Sequence, residues 1–341
     1  MHKPHSPVRP GLWPYGGTAW LLLLIFPLLL NAAPQTLEPF DDKPLDEALS
    51  LPDWFKLSFL DIREDIEDAK QGKRGLIIYY GQKYCPYCKA HLQNNWGDKS
   101  IIAYTRANFD VIAIDIRGNR TVTTLNGKEI SERDFAIQQK ANFTPALQFY
   151  DRKGKLALKI TGYRQPYQFK AALEYVADLH HEKESFPQYY ARAEKAYSFG
   201  SDKLNEMAQF NAPLQAGRPG VVFYEHSSCH ACDVLHGGPL LNKEIQQRLA
   251  QLNVRQVDIQ SDAPVQALDG KNLSGKQRAR QLQLDYAPTL IFYDPQGKEI
   301  IRIDAVVWFF RLRNVLDYVT GGAYQRYPDF QEWRYRNTPQ P

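Results

Sequence analysis

The chain has 341 residues, of which 43% are hydrophobic and 23% charged, a balance typical of folded globular proteins rather than disordered ones. At that length two domains of about 100 to 200 residues are expected, not one core. The net charge of +4, with no clustered Lys/Arg stripe, excludes a polyanion partner and makes nucleic-acid binding unexpected.

In chain order, Met1-His2-Lys3 and Arg9 precede an apolar run, Ala19 to Leu30, and then Asn31-Ala32-Ala33, the layout of a cleaved secretory signal over residues 1–33. The run is twelve residues long and holds Pro27, short of the roughly 20 that span a bilayer, so export is expected rather than anchoring. Loss of Lys3 and Arg9 lowers the charge to +2. A lead, 34–52, is followed by a first domain over 53–182. It opens on an expected helix from Asp53 to Lys70 with Phe55, Phe59, Ile62 and Ile66 on one face. Trp54, Phe55, Phe59 and Leu60 read as a core stripe, His91 as a helix-face residue and His180-His181 as a solvated helix end. Residues 183–217 read as a connector with one weak helix, 218–322 as a second domain, and 323–341 as an aromatic tail that packs back or docks a partner.

The four cysteines form two Cys-x-x-Cys pairs, Cys85 with Cys88 and Cys229 with Cys232. Buried-strand patterns, Leu76 to Tyr80 and Val221 to Tyr224, lead into them. The landmarks then keep step: Asp115 stands 30 residues after Cys85 and Asp258 29 after Cys229. Pro145 follows Gly127 by 18 residues, as Pro288 follows Gly270. A repeat of about 140 residues is domain-sized, so a duplicated domain is expected, not a solenoid. In each copy strands alternate with helices, an α/β pattern, and a hairpin turns at Asp151-Arg152-Lys153-Gly154 or Asp294-Pro295-Gln296-Gly297.

A buried strand leading into Cys-x-x-Cys, with Thr144-Pro145 or Ala287-Pro288 downstream, resembles the thioredoxin superfamily twice in one chain. It is most similar to the periplasmic thioredoxin-related group that includes SoxW-type proteins and the soluble domains of disulfide-bond reductases. The resemblance implies two tandem thioredoxin-like domains, each a central mixed β-sheet flanked by helices, in the periplasm. It also implies cis prolines at Pro145 and Pro288 beside the cysteines, with Thr144 and Ala287 offering backbone groups to a substrate peptide. Thioredoxins carry a buried Asp six residues before the first cysteine, where this chain has Tyr79 and Phe223.

Attack on a disulfide needs a thiolate, and a helix N-terminus stabilises one, with pKa values falling to about 3.5–7.5 from about 8.5. Cys85 is placed there and Cys88 one turn on, while Pro86 suits the first helical turn and Tyr87 tunes the pair. The second pair is crowded by His226, His230 and His236, and Gly237-Gly238-Pro239 would end its helix early. His230, if protonated, would lower the Cys229 pKa. Alternatively His226, Cys229, Cys232 and His236 form a zinc or copper site. The expected function is a thiol:disulfide oxidoreductase that reduces or isomerises disulfides of exported proteins, fed by a membrane electron donor of the disulfide-reductase type and needing no cofactor. A disulfide-forming oxidase and a copper or zinc carrier are the alternatives.

Overall fold

The computed structural model describes residues 41–194 and 214–337, save 227–228, 267, 269–270 and 306. The expected signal peptide lies outside the described residues. Among those described, no helix is long and apolar enough to cross a membrane.

The first domain runs α1 (Ile62–Gln71), β1 (Gly75–Gly81), α2 (Pro86–Ala90) continuing as a π-helical turn (His91–Asn95), α3 (Lys99–Asn108), β2 (Phe109–Asp115), β3 (Thr121–Thr123), β4 (Glu129–Ser131), α4 (Glu132–Gln138), β5 (Ala146–Tyr150), β6 (Leu156–Thr161), α5 (Pro166–Ala177) and α6 (Phe186–Glu194). The second repeats the plan as β7 (Gly220–Glu225), α7 (His230–Gly237), α8 (Lys243–Leu249), β8 (Asn253–Asp258), β9 (Pro264–Gln266), β10 (Asn272–Ser274), α9 (Gly275–Leu282), β11 (Thr289–Tyr293), β12 (Glu299–Ile303), α10 (Phe309–Thr320) and α11 (Phe330–Asn337).

The two four-stranded sheets are ordered β2-β1-β5-β6 and β8-β7-β11-β12. In each, the Cys-x-x-Cys strand pairs parallel with one neighbour and antiparallel with the other, the mixed sheet the resemblance implied. Because successive side chains of a strand point to opposite faces, Leu76, Ile78 and Tyr80 pack on the α1 and α4 side, and Ile77 and Tyr79 on the side of Trp96 and Phe169. Both faces are buried, so β1 reads as a continuous apolar run. The Thr144-Pro145 and Ala287-Pro288 bonds are both cis.

Three expectations need correction. The opening helix begins at Ile62, not Asp53, because Asp61 is the better cap, its carboxylate accepting from the N–H groups of Arg63 (3.0 Å) and Glu64 (3.3 Å). Leu60 just before it sits at φ 65°, outside helical space. Phe59 is consequently fully exposed instead of in the core, while Phe55 reaches the core from a loop. His181 is buried against Asp151, its Nε2 2.9 Å from the carboxylate, and so is not a solvated helix end. The aromatic tail packs back: Phe330 and Trp333 lie 5.2 and 5.3 Å from the Tyr318 ring of α10.

Candidate functional site

At the C-terminal end of β1 a short loop delivers Cys85 as the N-cap of α2, with Pro86 in the first turn. Its Sγ accepts the N–H of Cys88 at 3.0 Å, lies 3.2 Å from Thr144 Oγ1 and 3.5 Å from the Thr144 carbonyl. The free N–H groups of the helix start face this sulfur, which is the environment that favours a thiolate. Cys85 and Cys88 are joined as a disulfide, Cα–Cα 5.1 Å. Gln82 Nε2 donates to Thr144 Oγ1 at 2.8 Å and so ties the cis-proline loop to the active-site loop. Thr144, which precedes cis Pro145, thus lies against Cys85, in the arrangement the resemblance implied.

The second centre repeats this geometry. Cys229 caps α7, its Sγ accepting the Cys232 N–H at 3.1 Å, and the pair forms a disulfide with Cα–Cα 5.2 Å. Ala287 and cis Pro288 enter β11 as Thr144 and Pro145 enter β5, without the threonine hydroxyl. The side chain of His230 lies outside the described residues. His236 is held away from any metal-like grouping, its Nε2 at 2.9 and 3.0 Å from the two carboxylate oxygens of buried Glu225, which also accepts from Gln256 at 2.6 Å. Among the described residues, no three donor atoms of His226, Cys229, Cys232 and His236 gather at ligating distance. Sequence reasoning missed Glu225, whose signal was an acid ending an apolar strand four residues before Cys229, where the first copy has Gly81.

Residues far apart in the chain cover the first centre. Tyr87, buried beside Cys85, donates its hydroxyl to Asp42 Oδ2 at 2.8 Å and accepts the N–H of Trp308 at 2.8 Å. Burial and the Asp42 carboxylate hold the Tyr87 phenol well above its ordinary pKa, so it stays a neutral donor. The Asp42 carboxylate accepts the N–H groups of Phe310 and Arg311, both at 2.8 Å, and complements the start of α10. The Arg311 guanidinium lies over the Tyr87 ring, 3.5 Å from its centroid, and donates to the Thr144 carbonyl at 2.8 Å. A backbone acceptor expected to serve substrate is therefore taken by an arginine of the other domain. Trp308 and Val234 pack with Cys85, Tyr87, Cys88 and Tyr163, and Cys85 is only 2% exposed. Neither Asp42 nor Arg311 carried any motif signal in the sequence.

The family model described as a thioredoxin-like domain matches residues 62–177 and again 208–320. No curated protein is significantly similar to the chain. Solved structures similar to it include a thioredoxin-fold protein from Helicobacter pylori (23% identity, 41% of this chain and 92% of that one, TM-score 0.30). Others are a DsbH oxidoreductase (15%, 38% and 92%, TM-score 0.28) and a disulphide isomerase from Xylella fastidiosa Temecula1 (17%, 44% and 99%, TM-score 0.25). The two matched regions take in more than half of the sequence and each holds a Cys-x-x-Cys pair at disulfide distance. The chain belongs to the thioredoxin-like domain family, carries that domain twice, and is a thiol:disulfide oxidoreductase.

Proposed function

We propose that the chain is exported to the periplasm and there reduces or isomerises disulfides of other exported proteins, taking electrons from a membrane donor of the disulfide-reductase type. Cys85 is the nucleophile: its thiolate attacks a substrate disulfide and forms a mixed disulfide, which Cys88 then resolves. The reading rests chiefly on Cys85 Sγ as the N-cap of α2, receiving the Cys88 N–H at 3.0 Å and standing 3.2 Å from Thr144 Oγ1 next to a cis proline. The Cys229-Cys232 pair acts as relay, and Val234, two residues beyond Cys232, packs in the cluster that holds Cys85 and Cys88.

Cys88→Ala and Cys232→Ala variants expressed in the native periplasm test this by trapping mixed disulfides. Exported cysteine-containing proteins on Cys85 and a membrane donor on either centre are the expected captures; a protein that traps nothing at either site overturns the reading. The reduction potential decides direction, since a value near −270 mV, roughly that of thioredoxin, fits a reductase and one near −120 mV fits an oxidase.

A further inference from the structure

Beside Cys85 lies a cavity of about 220 Å³, walled by α10 and α11 of the second domain and by loops of the first. Lys83, Arg117, Arg311 and Arg334 line it, against two carboxylates, Asp42 and Asp115. Both acids are already engaged: Asp42 holds Tyr87 and the N–H groups of Phe310 and Arg311, and Asp115 Oδ1 accepts the Arg117 N–H at 2.9 Å. Among the described residues, none of the three arginines makes a side-chain ion pair. Four donor atoms on this lining are buried without an acceptor: Arg117 Nε, Arg311 Nη1, Asn314 Nδ2 and Arg334 Nε. Arg311 and Asn314 are 7% and 8% exposed.

Buried guanidinium groups are ordinarily paired, because an uncompensated cation or donor away from water is costly. Three arginines at one cavity also repel one another. Burial together with Arg311 and Arg117 holds the Arg334 guanidinium down at about 10. Anion binding relieves both costs, and guanidinium forks match carboxylates in geometry. The lining carries two more cationic than anionic side chains, and Cys85 is part of it.

We propose that this cavity binds an acidic low-molecular-weight thiol or its disulfide, seating its carboxylates on Arg117, Arg311 and Arg334 with the sulfur at Cys85. The proposal goes beyond exchange with proteins and rests on the redox activity of the Cys85-Cys88 pair. In the reduced protein the Cys85 thiolate attacks one sulfur of the small disulfide, forming a mixed disulfide and releasing one thiolate. Cys88 then attacks the Cys85 sulfur, closing the 85–88 disulfide and releasing the second thiolate. Two electrons pass from the protein dithiol to the small disulfide, and the departing thiolates take up the two protons. With Trp308 packed on Cys85 and Arg311 on the Thr144 carbonyl, a protein disulfide reaches Cys85 only once that cover opens, whereas the cavity offers a small disulfide an approach of its own.

The test uses the full chain with Cys229 and Cys232 changed to serine, so that only the first centre reacts. The oxidation rate of the reduced protein is measured with glutathione disulfide, which is anionic, and with bis(2-hydroxyethyl) disulfide, which is neutral. The expected result is a rate ratio favouring the anionic disulfide that falls about tenfold in Arg334→Gln or Arg117→Gln, the scale of one lost charge-assisted hydrogen bond. An unchanged ratio overturns the proposal. Failure of both disulfides to react counts instead against the redox reading, and the cavity is then judged by binding alone. S-methylglutathione, which cannot exchange, is expected to bind the Cys85→Ser protein and to be weakened by Arg334→Gln; binding no tighter than inorganic phosphate overturns the proposal.

Discussion

His91 follows Cys88 by three residues and lies wholly buried against Trp96 and Phe169, ring centroids 4.5 and 4.6 Å away. Asn95 Nδ2 donates to its Nδ1 at 2.8 Å, and burial pushes the imidazole down to about 3. Folded His91 stays neutral where an unfolded histidine takes up a proton, so the folded state is progressively disfavoured as pH falls from about 6.5 toward 3, by about 1.4 kcal/mol per unit. Asp285 acts in the opposite sense: burial and Asp304 push its carboxyl up to about 6, so its contribution is lost as pH rises through that value. His91→Leu removes the first effect and leaves the second. The stability difference between wild type and variant is therefore expected to narrow by about 2 kcal/mol from pH 7 to pH 5 in urea titrations, and parallel curves would refute the assignment. The buried state of His91 was not legible in a sequence that places it two residues after Lys89, because the π turn that carries it inward has no local signal.

Among the elements, the two Cys-x-x-Cys helices show what duplication kept and what it changed. Both are capped by the first cysteine sulfur, and both follow a strand that was legible as an apolar run. They differ in how the preceding strand ends. Gly81 closes β1 in close approach to the Tyr79 ring, leaving no space for a side chain, whereas Glu225 closes β7 and ties α7 down through His236. Glu225→Ala removes that acceptor from buried His236 and half-buried Gln256, and breaking a buried pair of this kind costs about 3–5 kcal/mol. Denaturant melts should register that loss, with Glu225→Gln losing less; a cost under about 1 kcal/mol would mean that the tie is unimportant. Helix α3 was missed in the sequence although Asp98 caps it, its carboxylate accepting from the N–H groups of Ser100 and Ile101. Only Ile101 and Thr105 of that helix are buried, too few to mark a face.

For the molecule as a whole, access to Cys85 depends on how the second domain lies on the first. Gly162 packs against Ala305 so closely that a Cβ on the glycine would meet the alanine methyl at 2.1 Å, and Arg164 lies over the Tyr286 ring at 3.6 Å while donating to the Asp304 carbonyl. Gln331 of α11 donates to the Asn142 carbonyl at 2.5 Å, next to Phe143, which joins the second domain's core. Overpacking such a contact costs about 1–3 kcal/mol, so Ala305→Phe is expected to raise the opened population about tenfold or more. Maleimide labelling of reduced Cys85 should accelerate accordingly, with Cys229 and Cys232 replaced by serine; an unchanged rate would show that this contact does not gate the site.

The sequence by itself determined the duplicated α/β plan and the two Cys-x-x-Cys pairs at helix starts, while the prolines beside them came only from its resemblance to a known family. The first two follow from local rules: strand periodicity, helix-end chemistry and matched spacing within one domain. The tertiary structure alone decided that Arg311 takes the Thr144 carbonyl, that Asp42 links Tyr87 to α10, and that Arg117 and Arg334 meet beside Cys85. Arg311 and Thr144 stand 167 residues apart and Arg117 and Arg334 217, and no short-range pattern encodes a contact made when one folded domain docks on another.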